Sequence, residues 1–244
     1  MCVQLSLENE TAEDLSVRFE ACKPEALLQW ATKRFGPKIT LACSFGGVEG
    51  IIVLDMLSKM RVSPRVFVLD TGRLHEETYR TMERCRERYG IELEVFTPRA
   101  DPLQSLLRKK GPFSFYDSVE NRQECCFIRK VEPLRRALAE TDHWVTGLRR
   151  QQSITRHQLP KVENDVEHGS IFKLNPLADW TDEQVWEYAK RENIPYNKLH
   201  DQGYPSVGCA PCSRAVLPGE DIRAGRWWWE SAENKECGLH VVRG

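Results

Sequence analysis

The sequence predicts an α/β fold in which a mostly parallel sheet is covered by helices on both faces. Short apolar runs typical of buried strands alternate along the chain with longer segments whose apolar residues recur at helical spacing. The chain has 244 residues, of which 41% are hydrophobic and 29% charged, which is enough to enclose the core of such a domain. Strands that are separated by helices pair in parallel, because each helix returns the chain to the same edge of the sheet.

The predicted elements follow one another in a regular order. Helices are predicted up to about residue 35 and over segments 48–60, 75–89, 121–131 and 181–193. Strands are predicted at 39–42, 66–69, 91–96, 144–146 and 171–174. Helix starts are indicated by the capping-box spacing of Asn121 with Glu124 and of Thr181 with Gln184. Pro133 predicts the start of another helical segment, because a proline inside a helix costs about 3 kcal/mol.

Composition and charge narrow the class of protein. Lys and Arg number 35 against 36 Asp and Glu, a net charge of -1, which excludes a globally basic nucleic-acid-binding protein. Any anion site must therefore come from a local concentration of basic residues. The first residues show no secretory signal, and the longest aliphatic run, 51–54, is far too short to span a membrane. We expect a cytoplasmic protein without a membrane or nucleic-acid partner.

The turn after the first predicted strand is a candidate anion site. It runs over residues 44–50, links a strand to a helix, and contains Ser44, Gly46, Gly47 and Gly50. Glycines allow close approach of a ligand to the backbone, and the open N–H groups at a helix start attract phosphate or sulfate. The turn lacks the Gly-Lys-Ser/Thr of a Walker motif. An ordinary tight strand-to-helix turn remains the alternative.

Four of the nine cysteines form two close pairs, Cys125 with Cys126 and Cys209 with Cys212. Such pairs suggest a four-thiolate metal site, since the loop of a CxxC pair can direct both sulfurs at one metal. Neighbouring side chains on a helix diverge by about 100°. Adjacent cysteines therefore suit a bulky metal cluster better than a single zinc ion. Zinc, or inert thiols beside a redox CxxC pair, remain alternatives.

A further cysteine, Cys237, lies near the end of the chain beside Lys235 and close to His240. Neighbouring positive charges lower the pKa of a thiol, so Cys237 is a candidate nucleophile on a mobile tail, with an incidental exposed cysteine as the alternative. Basic residues also cluster after the other candidate elements and predict an anion pocket: Arg129, Lys130, Arg149, Arg150, Arg156, Arg214, Arg223 and Arg226. The three tryptophans at 227–229 are expected to pack against the body of the protein or to cover the site.

Several stretches are together characteristic of one family: LDTGRLH (69–75), CCFIRKVEPL (125–134), TGLRR (146–150), NPLADWT (175–181), GCAPCSR (208–214), GRWWWE (225–230) and KECGLH (235–240). On these residues the chain from about 35 to 240 resembles the assimilatory adenylyl-sulfate (APS) reductases, the iron–sulfur branch of the APS/phosphoadenylyl-sulfate (PAPS) reductase family. The resemblance implies an adenine-nucleotide α-hydrolase-like fold. It also implies reduction of APS to sulfite and AMP through an S-sulfocysteine, with thioredoxin or a similar dithiol protein as the reductant.

The resemblance also assigns residues. It implies a [4Fe-4S] cluster on Cys125, Cys126, Cys209 and Cys212, and a catalytic set of Cys237, Lys130 and His240. The implied substrate contacts are Ser44, Leu69, Gly147, Arg156, Arg223 and Arg226. We expect residues 1–222 to form the α/β domain that binds nucleotide and cluster, and 223–244 to form a tail that carries Cys237.

In one place the chain departs from the family pattern. The family loop usually has a second Ser where this chain has Gly46, and an Asp where it has Gly50, so one hydroxyl donor to the anion is lost. Other functions remain as alternatives: a PAPS reductase or dual APS/PAPS reductase, an ATP-pyrophosphatase-type ligase or tRNA-thiolating enzyme, and a zinc-stapled binding module. The sequence does not give the oligomeric state, and a homo-oligomer is left open.

Overall fold

The computed structural model describes residues 10–36, 39–153, 156–217, 219–231 and 239. The helices are α1 (Ala12–Phe19), α2 (Pro24–Phe35), α3 (Glu49–Lys59), α4 (Glu76–Tyr89), α5 (Ala100–Lys110), α6 (Val119–Cys126), α7 (Glu132–Leu138) and α8 (Asp182–Arg191). The strands are β1 (Thr40–Ala42), β2 (Arg65–Leu69), β3 (Leu93–Phe96), β4 (His143–Val145), β5 (Val162–Asp165) and β6 (Ile171–Leu174). One turn of π-helix, Phe127–Val131, joins α6 directly to α7.

The strands form one sheet in the order β3-β2-β1-β4-β6-β5. All neighbouring pairs are parallel except β5 and β6, which are antiparallel. The predicted mostly parallel sheet is therefore confirmed. The chain moves from β1 to β2 and β3 on one side, and β4 then pairs with β1 on the other side. The strand order thus reverses between β1 and β4, the place where such sheets bind ligands.

Alternate residues of the central strands face opposite sides of the sheet. Val66 and Val68 join the larger apolar core with α1, α2, α3 and α8, whereas Phe67 joins a second core with α7. On β4, Val145 and Trp144 divide between the two cores in the same way. Helices therefore cover both faces of the sheet, as the sequence predicts.

The sequence patterns did not predict two elements that the structure contains, β5 and α5. Strand β5, of sequence VEND, has a single buried residue, Val162, because it lies at the edge of the sheet. Helix α5 buries only Leu106 and contains Pro102, so its apolar pattern is weak. Neither α5 nor any other helix among the described residues is long and apolar enough to cross a membrane.

The helix starts are partly as predicted. Thr181 and Gln184 form the expected capping box at α8. The expected box at Asn121 is wrong, because the N-cap of α6 is Ser118, whose side chain accepts a hydrogen bond from the backbone N–H of Asn121. The side chains of Asn121 and Glu124 instead bind Lys110 Nζ, at 2.8 and 2.6 Å.

Candidate functional site

A large pocket opens at the carboxyl ends of β1, β2 and β4, where the strand order reverses. Ser44 follows β1, Leu69 ends β2 and Gly147 follows β4, and all three line the pocket. Three predicted substrate contacts, far apart in sequence, are thus brought together because parallel strands end at the same edge of the sheet.

The turn after β1 presents backbone N–H groups to this pocket. Gly46 and Gly47 both line it, and their N–H groups donate no hydrogen bond to any residue that the structure describes. The turn runs directly into α3, so the positive end of the helix dipole adds to these donors. Ser44 is exposed to the pocket. The turn has the features of the predicted anion site.

Two glycines permit close packing around the turn. A Cβ atom at Gly46 would lie 2.7 Å from the carbonyl oxygen of Val207, and one at Gly147 would lie 2.7 Å from the backbone nitrogen of Gly50. Both distances are shorter than a carbon atom can approach without displacing the backbone. Gly46 is therefore required by the packing of this chain.

The predicted basic clusters contribute to the pocket in part. Lys130, Arg156, Arg223 and Arg226 line it, as predicted. Arg149 also lines it, but its guanidinium is held by Glu49, with a nitrogen–oxygen distance of 3.0 Å, and by an ion pair with Asp182. Arg149 thereby links α3 to α8.

The remaining members of the basic clusters do not line the pocket. Arg150 pairs with Glu20 at 2.5 and 2.8 Å, and Arg214 pairs with Glu220 at 3.3 Å. Arg129 donates a hydrogen bond to the carbonyl oxygen of Thr71. All three clusters thus contribute a side chain to the pocket, as predicted, whereas these three arginines bind other groups of the described chain.

The four paired cysteines line one small cavity next to the pocket. Cys125 and Cys126 come from the last turn of α6, and Cys209 and Cys212 from a short 3₁₀ turn that is joined to the loop after β2. They share an apolar cluster with Phe115. Within the described ranges, no group of three or more His, Cys, Asp or Glu side chains is arranged to hold a single metal ion.

The cysteine cavity also contains polar donors. Burial opposes ionisation of Cys209, but the charge of Lys130 and a 3.2 Å hydrogen bond with Thr71 Oγ1 outweigh it and lower the pKa of the thiol. Burial raises the pKa of Cys212 to about 12. Arg129 Nε and Trp227 Nε1 are buried and have no hydrogen-bond partner among the described atoms. The cavity therefore combines four sulfurs with two unsatisfied N–H donors.

Lys130, Cys209 and Trp227 line both the cavity and the pocket. The two spaces are therefore neighbours that share a wall. Lys130 has this position because it lies on the π-helical turn Phe127–Val131, immediately after the adjacent cysteines. A charge at this place acts on the pocket and on the sulfurs together.

The tryptophan run is fixed by packing, which is one of the two roles predicted for it. Trp227 is 1% exposed and lies in the cysteine cluster, whereas Trp228 is half-exposed and contacts the ring of Tyr116. Arg122 of α6 stacks on Trp227, with its guanidinium carbon 5.0 Å from the ring centroid, and forms a bidentate ion pair with Glu230 at 2.9 and 2.8 Å. This part of the predicted tail is thus fastened to the helix that carries the first cysteines.

Cys237 and His240 lie outside the described residues, so the assignment of the nucleophile and of its neighbour stays a prediction. The mobile tail and the domain boundary at 222/223 also stay predictions. Leu239, two residues after Cys237, lines the pocket and packs against the core of Phe67, Leu134 and Trp144.

Sequence reasoning missed three residues that shape this site: Arg122, Asn197 and His200. Asn197 is completely buried and donates a hydrogen bond to the carbonyl oxygen of Phe45 at 3.2 Å. His200 lines the pocket and contacts the carbonyl oxygen of Gly46 at 3.0 Å. Asn197 and His200 lie in a segment without periodicity, so no pattern in the sequence marks them. Arg122 lies in the predicted helix 121–131, but its partner Glu230 is far along the chain, so its role has no local signal either.

The fold and this site define an α/β protein with a ligand pocket at the topological switch point of a parallel sheet. Residues 38–215 match the model of the phosphoadenosine phosphosulfate reductase domain family. The chain belongs to this family.

Named relatives extend the match. The chain is 52% identical to the adenosine 5′-phosphosulfate reductase of Burkholderia cepacia over 205 residues, which are 84% of this chain and 81% of the relative. It is 46% identical to that of Pseudomonas aeruginosa strain LESB58 over 223 residues, 89% of this chain and 82% of the relative.

Solved structures show the same fold. The phosphate complex of the PAPS reductase from Candida auris superposes with a TM-score of 0.70 at 29% identity, covering 88% of this chain and all of that one (100%). The FMN adenylyltransferase of Candida glabrata has a TM-score of 0.55 at 16% identity over 99% of this chain and 81% of its own, a likeness in fold alone. The expected adenine-nucleotide α-hydrolase-like architecture is therefore confirmed.

Proposed function

We propose that this chain reduces APS to sulfite and AMP. The observation that carries the proposal is a single pocket that combines open backbone N–H groups after β1 with Lys130, Arg156, Arg223 and Arg226. Such a set of donors fits a phosphosulfate, which carries negative charge on both its phosphate and its sulfate. Relatives at 46% and 52% identity bear the name of this activity.

The substrate would lie along the carboxyl edge of the sheet. The phosphosulfate would contact Ser44 and the N–H groups of Gly46 and Gly47, with the four basic side chains around it. The nucleotide would contact the backbone of Leu69 and Gly147, which end β2 and follow β4. Buried Arg226 is already oriented by a hydrogen bond from its Nε to the carbonyl oxygen of Cys212 at 3.2 Å, so it needs little reordering to meet an anion.

In the first chemical step the thiolate of Cys237 would attack the sulfur of the sulfate group. A bond forms between Sγ and that sulfur, the bond from sulfur to the phosphate oxygen breaks, and its electron pair leaves with AMP. Lys130, Arg223 and Arg226 would stabilise the charge that grows on the leaving phosphate. Leu239 supports this role for Cys237, because two residues of chain span at most about 7 Å and Leu239 lines the pocket.

In the second step a dithiol protein such as thioredoxin would release the product. One of its thiolates attacks Sγ of Cys237, the bond between the two sulfur atoms breaks, and sulfite leaves with the electron pair. The second thiol of the reductant then displaces Cys237 as a thiolate, and the reductant becomes a disulfide. The reductant thus supplies both electrons, and the chain returns to its starting state.

The cysteine cavity fits a [4Fe-4S] cluster held by Cys125, Cys126, Cys209 and Cys212. The support is the set of four sulfurs around one cavity, together with the unsatisfied N–H groups of Arg129 and Trp227, which can donate to cluster sulfurs. When bound, the cluster would supply structural and electrostatic support to the wall at Lys130. Iron and acid-labile sulfide in the purified brown protein would support this assignment, whereas a colourless zinc protein would contradict it.

Trapping of the intermediate tests the reaction. Protein mixed with APS before any reductant is added should gain one sulfonate on Cys237, detected by mass spectrometry. Addition of reduced thioredoxin should then release sulfite. The Cys237→Ser variant should form no adduct and produce no sulfite, yet bind APS nearly as well as the parent chain. Sulfite production by this variant would show that Cys237 is not the nucleophile.

A turnover assay separates the PAPS and dual-substrate alternatives. Turnover of APS and of PAPS is compared on one anaerobic preparation, with thioredoxin as the reductant. The family model and the Candida auris structure carry the name of the PAPS enzyme, whereas the relatives at higher identity carry that of APS. We expect APS to be the preferred substrate.

A further inference from the structure

The segment from Asn197 to Val207 lies directly against the turn after β1. The side chain of Asn197, which is 0% exposed, donates hydrogen bonds to the carbonyl oxygen of Phe45 at 3.2 Å and to Thr78 Oγ1 at 3.0 Å. Its own oxygen accepts a hydrogen bond from the N–H of Leu199 at 3.1 Å. Both the nitrogen and the oxygen of the Asn197 amide are thus hydrogen-bonded. The nitrogen binds a carbonyl of the turn at residues 44–50.

His200 holds the next carbonyl. Its Nε2 lies 3.0 Å from the carbonyl oxygen of Gly46. A carbonyl oxygen can only accept a hydrogen bond, so Nε2 carries the proton and donates it. Asn197 and His200 therefore bind two successive carbonyls of the turn from one short segment of chain.

This arrangement determines where the N–H groups of the turn point. In a planar trans peptide, the carbonyl and the N–H of the next residue point in opposite directions. Because Asn197 holds the carbonyl of Phe45 and His200 holds that of Gly46, the N–H groups of Gly46 and Gly47 are directed away from these two side chains. Both glycines line the pocket, and neither N–H has an acceptor among the described residues.

The turn needs such support because its backbone is strained. Phe45 is fully buried and has a φ of 53°, in the left-handed region that bulky residues avoid. A conformation of this kind persists only when the surrounding structure holds it in place. The hydrogen bond from Asn197 to the carbonyl of Phe45 acts on the strained residue itself.

We propose that Asn197 and His200 are positioning residues, which direct the N–H groups of Gly46 and Gly47 at the phosphosulfate group. This inference rests on the proposed function. Part of the affinity for the anion would then come from Asn197 and His200. Neither side chain would contact the anion itself, because both act on the backbone of the turn.

The test compares the binding of an anionic and a neutral ligand. Dissociation constants for APS and for adenosine are measured by calorimetry in the full chain carrying Cys237→Ser, so that APS is not consumed. Added to this parent, Asn197→Leu removes both donors with little change of volume and without adding a charge, and His200→Leu removes the donor to Gly46. Each should weaken APS binding about tenfold, equivalent to about 1.4 kcal/mol, and leave adenosine binding within about twofold. His200→Gln, which keeps a donor, should recover most of the affinity.

A matched control is available at the amino ends of the strands, opposite the pocket. His143 is also buried and bonded to backbone, since its Nε2 accepts from the N–H of Thr40 at 3.3 Å, but it starts β4 and does not line the pocket. His143→Asn should lower the melting temperature and leave the APS dissociation constant unchanged.

The outcomes separate this inference from the proposed function. If the parent chain does not bind APS, the proposed function fails and the inference fails with it. If the parent binds APS, and the folded variants bind it equally well or lose APS and adenosine in parallel, only the positioning role is overturned. Should Asn197→Leu not fold, the comparison of His, Leu and Gln at position 200 decides the result.

Discussion

The site has two ends, the turn after β1 in the pocket and the cysteine cavity beside it, and different kinds of contact stabilise them. At the loop end, residues 44–50, the neutral donors Asn197 and His200 hold backbone carbonyls. The cysteine end comprises the four cysteines with Arg122 and residues 226–230. There a bidentate ion pair between Arg122 and Glu230 joins two segments, and its side chains are only 1% and 3% exposed. The loop end thus depends on local geometry, whereas the cysteine end depends on buried charge.

This difference predicts which property of the protein a single substitution changes at each end. Loss of one neutral hydrogen bond leaves an unpaired polar group, which costs less than an unpaired buried charge. Loss of one member of a buried ion pair leaves a charge without compensation. Substitutions at the cysteine end should therefore affect the stability of the fold, and substitutions at the loop end should affect ligand affinity.

The largest effect is expected for Arg122→Met. Glu230 would stay buried without its partner, so the free energy of unfolding should fall by about 3–5 kcal/mol, measured by urea denaturation of the purified protein. Hydrogen exchange should increase in peptides that cover 226–231 and stay unchanged in those that cover 44–50.

Two variants control this prediction. Arg80→Met removes an ion pair with Glu76 whose side chains are 72% and 73% exposed, and it should change stability little, because solvent screens such pairs. The double variant Arg122→Met with Glu230→Met removes both buried charges and should recover much of the loss. Equal effects of Arg80→Met and Arg122→Met would contradict the role of buried charge at this end.

The next largest effect is expected for Lys130→Ala, at the wall that the pocket and the cysteine cavity share. Removal of one charge that would stabilise the leaving phosphate in the proposed reaction should lower turnover about 100- to 1000-fold. Lys110→Ala serves as the control, because Lys110 pairs with Glu124 at 2.6 Å and lines neither space. Turnover of Lys130→Ala at the level of the parent would remove Lys130 from the catalytic set.

The loop end was largely predictable from the sequence, because its determinants are local. A buried strand, a glycine turn and a helix follow one another within residues 39–60. Ser44, Leu69 and Gly147 could be placed at one edge because parallel strands share their direction. The need for glycine at position 46 had no signal in the sequence, since Val207, whose carbonyl lies against it, is far along the chain.

For the cysteine end, the sequence predicts the cysteines that share a site but not the contacts that hold them in place. The spacing of the cysteines indicates a shared site, but Arg122 and Glu230 are 108 residues apart, and each has the sequence context of an ordinary surface charge. Lys130 reaches the shared wall through a π-helical turn, which has no sequence signature that we could use. Contacts between distant segments decide this end, and the pattern of a single segment does not contain them.

The smallest effect is expected for Ser44→Ala, at the loop end. Ser44 is exposed to the pocket and has no protein hydrogen-bond partner among the described residues, so its hydroxyl is available to the substrate. One neutral hydrogen bond contributes about 0.5–1.5 kcal/mol, so the KM for APS should rise by at most about tenfold. The N–H groups of Gly46 and Gly47 remain in place, and kcat and the urea midpoint should therefore stay near those of the parent. A loss of stability comparable to that of Arg122→Met would show that the two ends are held in the same way.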